Sequence, residues 1–166
     1  GVEGAGAGAT ALLVPDGEDG LVAGGEAVLR GLSIAAGPER CAVKVLGGAV
    51  RLEDVALSGG SCGAFVDGGS LEGREVALAG EYGLLLRAGR VALAGGHARA
   101  GGAGLAVLGG ERRVRRFEVT GPSREAGLSV SRGLATLDAV VVSHRHGDHT
   151  SGLGVLLSVN PGVRIY

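Results

Sequence analysis

Three of the chain's four histidines lie within six residues, in the segment SHRHGDHT at positions 143–150. In an extended segment, side chains at i and i+2 project to the same side, so His144 and His146 can share one zinc ion. The glycine that follows frees the turn, and Asp148 and His149 can then face a second metal. Water between two such metals is acidified toward hydroxide near neutral pH. The spacing is therefore compatible with hydrolytic metal chemistry, with these four residues as candidate ligands.

The stretch LDAVVVSHRHGDHTSG resembles the H-x-H-x-D-H segment of the metallo-β-lactamase superfamily, in which an apolar strand ends at the motif and a helix follows. The letters SGLGVLLSV and NPGVRIY are similar to that family's helix, turn and next strand. The resemblance covers residues 137–166. It implies that His144 and His146 hold a first metal and that Asp148 and His149 hold a second.

The family completes its metal sites with a distal His, a bridging Asp and a further His downstream, and this chain ends 17 residues after His149. The family also has upstream strands with an acidic turn in an ILFDTG-like segment, where this chain carries repeats. The remaining histidine, His97, lies far upstream. We therefore expect no complete dinuclear site from these residues alone, and the sequence identifies no catalytic residue. This chain by itself is not expected to be an active enzyme, and a metal-dependent hydrolase is the alternative.

The composition indicates which architecture must position these residues. Of 166 residues, 35 are Gly, 45% are hydrophobic and only 2% are aromatic, with no Met, no Trp and a net charge of -1. Because aromatic side chains usually supply much of a globular core, this chain must bury Val, Leu and Ala, which favours a narrow interior built by repetition. Collagen, disorder and a membrane span are not expected. The Gly at position 1 and the apolar run at the other end predict a fragment of a longer chain.

Short apolar pairs recur at intervals of 20 to 25 residues in two columns. The first column comprises Leu21 and Ala23, Cys41 and Val43, Ala64 and Val66, Leu84 and Leu86, Leu105 and Val107, Leu128 and Val130, Leu153 and Val155. The second comprises Leu12 and Val14, Leu32 and Ile34, Val55 and Leu57, Val76 and Leu78, Gly96 and Ala98 as a weak member, Phe117 and Val119, Val140 and Val142, Val163 and Ile165. Alternation with period 2 predicts strands with one face inside, and two strands per repeat predict a parallel solenoid.

Stretches such as GGAVRLEDVALSGGSCGAFVDGG and GAGLAVLGGERRVRRFEVTG resemble the repeats of right-handed parallel β-helix proteins of the pectate-lyase-like architecture. The resemblance implies an all-β fold, a right-handed parallel β-helix of about seven coils that forms a single repeat domain over residues 1–166. The alternative is that a metallo-β-lactamase-like segment starts near residue 137.

Residues 143–166 thus allow three interpretations: a long corner between coils, the start of a metallohydrolase segment, or a corner that binds a metal weakly without catalysis. The first predicts strands at 153–155 and 163–165, the second a helix over about 151–158. Two glycines, Gly152 and Gly154, each disfavour a helix by about 1 kcal/mol relative to Ala, so we predict the strands.

Outward-facing charged residues predict no carbohydrate-cleaving site. Lys44, Asp67 and Arg87 should alternate in sign on neighbouring coils, which is ordinary cross-strand pairing. Asp54 and Glu75 should stack, but Gly95 and Arg116 follow them in the column, so no carboxylate cluster of a lyase or glycosidase develops.

Four arginines lie in the run ERRVRRFE at 111–118. Nucleic-acid binding is not expected, because acids flank the run and aromatic residues are scarce; a solvated turn and strand face is the preferred interpretation. The two cysteines are predicted to stay unbonded. Cys41 should stack beside Ala64, and Cys62 should lie in a corner with its Cα about 8 Å from that of Cys41, beyond the usual disulfide span.

The sequence therefore predicts a repetitive scaffold, or an interaction or carbohydrate-binding surface, of a larger exported or surface protein. Its partners would be carbohydrate or protein. No cofactor is expected under this interpretation. The alternative is a zinc-dependent hydrolase of the metallo-β-lactamase type, with His144, His146, Asp148 and His149 as part of a dinuclear site.

Overall fold

A computed structural model describes residues 1–120, 126–131, 134–137, 139–140, 154, 157–158 and 161–165. In this part of the chain the strands are β1 (Val2–Glu3), β2 (Ala11–Leu13), β3 (Leu21–Ala23), β4 (Ala27–Ala35), β5 (Cys41–Val45), β6 (Ala49–Ser58), β7 (Cys62–Val107), β8 (Glu111–Arg115), β9 (Glu118–Thr120), β10 (Ala126–Val130), β11 (Leu134–Leu137), β12 (Ala139–Val140) and β13 (Arg164–Ile165). Strand β7 is 46 residues long and includes several corners, such as those at Glu75 and Gly95.

The fold is a parallel β-solenoid of about five turns, so the predicted architecture is confirmed. Paired positions are mostly 21 to 23 residues apart, as in Val55 beside Val76 and Leu105 beside Leu128. The count of about seven coils was too high. The first coil has only the short strands β1 and β2. Among the described residues, pairing to the solenoid ends at Leu137, since β12 pairs with β13 in a separate sheet.

The second apolar column has the predicted register across three coils. Leu32 lies beside Val55, which lies beside Val76. The first column needs a correction at its second member, because Val43, and not Cys41, lies beside Ala64. Leu12 is displaced in the same way and lies beside Ile34. A shift of two residues keeps every side chain on the same face, so apolar alternation alone does not determine it.

The interior is narrow and aliphatic. Its buried cluster consists of Ala, Val, Leu and Ile side chains, and the aromatic ring of Phe117 is only partly buried against it. Leu52, Leu71 and Leu86 are fully buried. Because each coil contributes only a few such side chains, stability depends on stacking one coil on the next.

One corner has left-handed backbone in five successive coils. Successive coils place there Gly31 (φ 57°), Asp54 (φ 50°), Glu75 (φ 49°), Gly95 (φ 79°) and Arg116 (φ 47°). The predicted stacking of Asp54 beside Glu75 agrees with the register on both sides of this corner. The neighbouring Gly96 (φ 109°) is required sterically, because a Cβ there would overlap the carbonyl oxygen of Val76.

The described C-terminal strands β12 and β13 lie outside the solenoid sheet. Val140 pairs with Ile165, so the strand predicted at 163–165 is confirmed at its last two residues. Gly154, Leu157 and Ser158 have helical backbone. The strand predicted at 153–155 is therefore wrong at Gly154, the one residue of that range that the structure describes. A glycine penalty of about 1 kcal/mol is small enough to be overridden by context.

Candidate functional site: a metal motif and an outer groove

The predicted metal ligands His144, His146, Asp148 and His149 lie outside the described residues. Strand β12 ends at Val140, shortly before the motif, and Gly154 is the first described residue after it and has helical backbone. The order along the chain is thus strand, motif, helical residues and the strand β13. Three imidazoles and a carboxylate are a donor set that suits zinc.

Elsewhere in the described part of the chain, no group of three or more His, Cys, Asp or Glu side chains is arranged to hold a metal ion. His97 is exposed on β7, and its neighbour across the sheet is Glu118. His97 is therefore separate from the motif along the chain, and its substitution can serve as a control for substitutions in the motif.

A groove of about 450 Å³ crosses the outer face of the sheet formed by β6, β7 and β8. Its floor contains Ala92 and Ala94, which lie beside Arg113 and Arg115 of β8. Alanines on one coil beside arginines on the next therefore form the depression.

The charge of this groove is positive. Of its lining residues, four are arginines and two are glutamates: Arg51, Arg74, Arg113, Arg115, Glu53 and Glu72. Both glutamates are already paired, because Glu72 accepts from Arg51 at 3.3 Å and Glu53 pairs with Arg30 at 2.8 Å. Arg74 and Arg113 are exposed and form no ion pair with any described residue. Two cations thus remain for an anionic ligand.

Ion pairs on another face correct the predicted charge ladder. Asp67 pairs with Arg87 as expected, and this contact raises the pKa of Arg87. The Arg87 guanidinium also lies 5.8 Å from the ring centre of Phe65. Lys44 does not join the ladder. It lies beside Phe65, and its Nζ pairs with Asp19 at 2.7 Å.

The cysteine prediction was wrong. Cys41 lies directly beside Cys62 on the neighbouring strand, and the two form a disulfide with a Cα–Cα distance of 4.6 Å. The error follows from the register shift of two residues described above. The signal was present in the sequence, because a separation of 21 residues is one repeat and therefore places both cysteines at the same point of adjacent coils.

The prediction that the arginine run 111–118 faces solvent was correct for three of its four arginines. Arg113, Arg115 and Arg116 are exposed, but Arg112 faces the interior and is only 2% exposed. Its direction could have been predicted, because Val114 is buried on the same strand and residues two apart share a face.

Comparison with known proteins gives one match. The family model of the metallo-beta-lactamase superfamily matches residues 120–166. This range is less than a third of the chain, and it contains the motif together with β10, β11, β12 and β13. No curated protein and no solved structure matches the chain significantly. Among the described residues, no helix is long and apolar enough to cross a membrane.

Proposed function

We propose that this chain joins a β-solenoid scaffold to the start of a metal-dependent hydrolase unit of the metallo-β-lactamase type. The observation that carries the proposal is the family match over residues 120–166, which includes His144, His146, Asp148 and His149. The separate sheet of β12 and β13 and the helical backbone at Gly154 support a unit distinct from the coils. We place its start near residue 137, at the end of the solenoid pairing.

In this unit His144 and His146 would hold one zinc ion, and Asp148 and His149 a second. Bound zinc supplies Lewis acidity and lowers the pKa of a bound water toward neutrality. Four donors are fewer than two four-coordinate zinc ions require. For this chain alone we therefore expect weak binding.

Isothermal titration with zinc tests the metal assignment. We expect binding no tighter than about micromolar, because four donors would leave coordination positions of two zinc ions open. His146→Ala should weaken it further, whereas His97→Ala, outside the motif, should leave it unchanged. Equal binding by wild type and His146→Ala would contradict the assignment. Tight binding of two zinc ions would show that the chain itself holds a complete site.

For the solenoid, the groove favours a second function, recognition of an acidic carbohydrate. An extended sugar chain fits a groove with a flat alanine floor, and Arg74 and Arg113 would pair with its carboxylates. The scaffold would then present the polymer on the outer face of the sheet. A protein partner with an acidic extended segment is the alternative occupant.

The test is binding of a polyuronate oligosaccharide, compared with a neutral oligosaccharide of equal length. We expect only the acidic one to bind, and the double variant Arg74→Gln, Arg113→Gln should weaken its binding. Arg99→Gln, an exposed arginine outside the groove, is the matched control. Equal affinity for both sugars, or no effect of the double variant, would refute this function.

We infer an extracellular or cell-surface location. The Cys41–Cys62 disulfide supports it, because structural disulfides form and persist in oxidising compartments. Recovery of the reduced chain from its native source would contradict this inference.

A further inference from the structure

Arg112 is the one buried charged side chain in the described part of the solenoid. It lies on β8, between Val91 of β7 on one side and Ala135 of β11 on the other. Its side chain is 2% exposed and points inward with Val114. A cation therefore occupies a place that earlier coils fill with aliphatic side chains.

The guanidinium of Arg112 has no hydrogen-bond partner among the described residues at any of its three nitrogens. Burial lowers the pKa of Arg112 to about 10, so the group is still charged at neutral pH. A buried charge without partners is strongly unfavourable, and either water or an opposite charge normally compensates it. The closed coil thus stores an unfavourable interaction.

The cover over Arg112 is weakly held. Strand β11 has four residues, and within the described residues it pairs with β8 and with no other strand. Its pairing ends at Leu137, after which β12 belongs to the other sheet. Breaking a few backbone hydrogen bonds at this edge would admit water to the guanidinium.

We propose that β11 is a detachable strand, which leaves β8 so that water reaches Arg112 and which thereby releases the segment after it from the solenoid. Detachment separates the solenoid from the C-terminal residues, which include β12 and β13, while the stacked coils from β4 to β7 stay intact. Arg112 shifts the equilibrium between attached and detached β11, because hydration of its guanidinium favours the detached state.

Hydrogen exchange followed by mass spectrometry on the whole chain tests the proposal. In the wild type, amides of 134–137 should exchange at least about tenfold faster than those of 49–58, since the edge opens without global unfolding. Arg112→Leu should slow the exchange of 134–137 by about tenfold or more, because the leucine removes the buried charge and matches the apolar column. Arg113→Leu, on the outward face of the same strand, is the matched control and should leave that exchange unchanged.

Three results would overturn the proposal. In the wild type, exchange of 134–137 as slow as that of 49–58 would mean that β11 does not detach. An unchanged exchange rate in Arg112→Leu would mean that the arginine does not set the equilibrium. Unfolding of Arg112→Leu would mean that the guanidinium stabilises the coil.

Discussion

At the scale of single residues, the buried charges of Asp19 and Arg112 differ in their hydrogen-bond partners. The Asp19 side chain is 14% exposed and satisfied, because Lys44 and the backbone N–H of Cys41 both donate to it. Arg112 is more deeply buried, and none of its three guanidinium nitrogens has a hydrogen-bond acceptor among the described residues. Both groups were missed by reasoning from the sequence, since alternation reports the face of a residue but not its partners.

Asp19 should make stability depend on acid. Partial burial raises its pKa, but the hydrogen bonds from Lys44 and Cys41 and the nearby positive charges lower it by more. The folded state therefore binds fewer protons than the unfolded state near pH 4, and the stabilisation is present above that pH and lost as the pH falls through the folded pKa. Asp19→Asn should cost about 1 kcal/mol at pH 7 and flatten the loss of stability below pH 4.

Urea unfolding between pH 2.5 and pH 7 measures this effect. The exposed neighbour Glu18 offers the matched control, and Glu18→Gln should follow the wild-type curve. If Asp19→Asn showed the same acid dependence as wild type, the ion pair with Lys44 would have no role in stability.

At the scale of the coil, the disulfide and the left-handed corners are the strongest local constraints. The Cys41–Cys62 bond joins adjacent coils at equivalent positions, so it closes a loop of one repeat. The corner at Gly96 needs a residue without a Cβ, because the backbone of Val76 lies against it. One constraint acts on the unfolded chain and the other on the folded chain.

Loss of the disulfide should lower the free energy of unfolding by about 3 kcal/mol, the loop-closure estimate for a ring of this length. The measurement is urea unfolding of the oxidised chain against the chain with Cys41→Ser and Cys62→Ser. Adding reductant to the double variant should change nothing. Equal midpoints for the oxidised chain and the variant would show that the bond does not stabilise the fold.

Gly96→Ala should destabilise the chain by about 2 kcal/mol or more, because the added Cβ overlaps the Val76 carbonyl and the φ of 109° is unfavourable for alanine. Gly24→Ala is the matched control, since a Cβ at Gly24 would have open space around it. Its free energy of unfolding should stay within about 0.5 kcal/mol of wild type. A similar loss in both variants would point to a general intolerance of alanine and not to the corner.

At the scale of the whole molecule, stacked parallel strands dominate the chain, and helical backbone occurs in the described residues only at Gly154, Leu157 and Ser158. We expect a circular dichroism spectrum dominated by strand. A helix content above about one third, the average of globular proteins, would contradict the solenoid. Truncation after Leu137 should leave the spectrum of the coils unchanged, because pairing to the solenoid ends there.

Much of the fold was predictable from the sequence, because period-2 alternation fixes which side chains point inward. Leu32, Val55 and Val76 show this, since they stack as their spacing required. Register within a column was less predictable, as the displacement at Cys41 shows, because a shift of two residues leaves the burial pattern unchanged.

The two candidate sites, the metal motif and the groove, differ in how much of each could be predicted from the sequence. The sequence alone identifies His144 and Asp148 as candidate metal ligands. Both residues lie outside the described part of the chain. The groove depends on Ala92 and Ala94 lying one coil away from Arg113 and Arg115, and this becomes visible only when the register is known.

The bond between Cys41 and Cys62 also has a mechanical consequence. Under a pulling force applied to the chain ends, a solenoid unravels coil by coil, and each coil of about 21 residues would lengthen the tether by about 70 Å. The disulfide withholds the residues between the two cysteines from the tether. An oxidised chain stretched with optical tweezers should therefore have a contour length about one coil shorter than the reduced chain, so its extension under load would report its redox state.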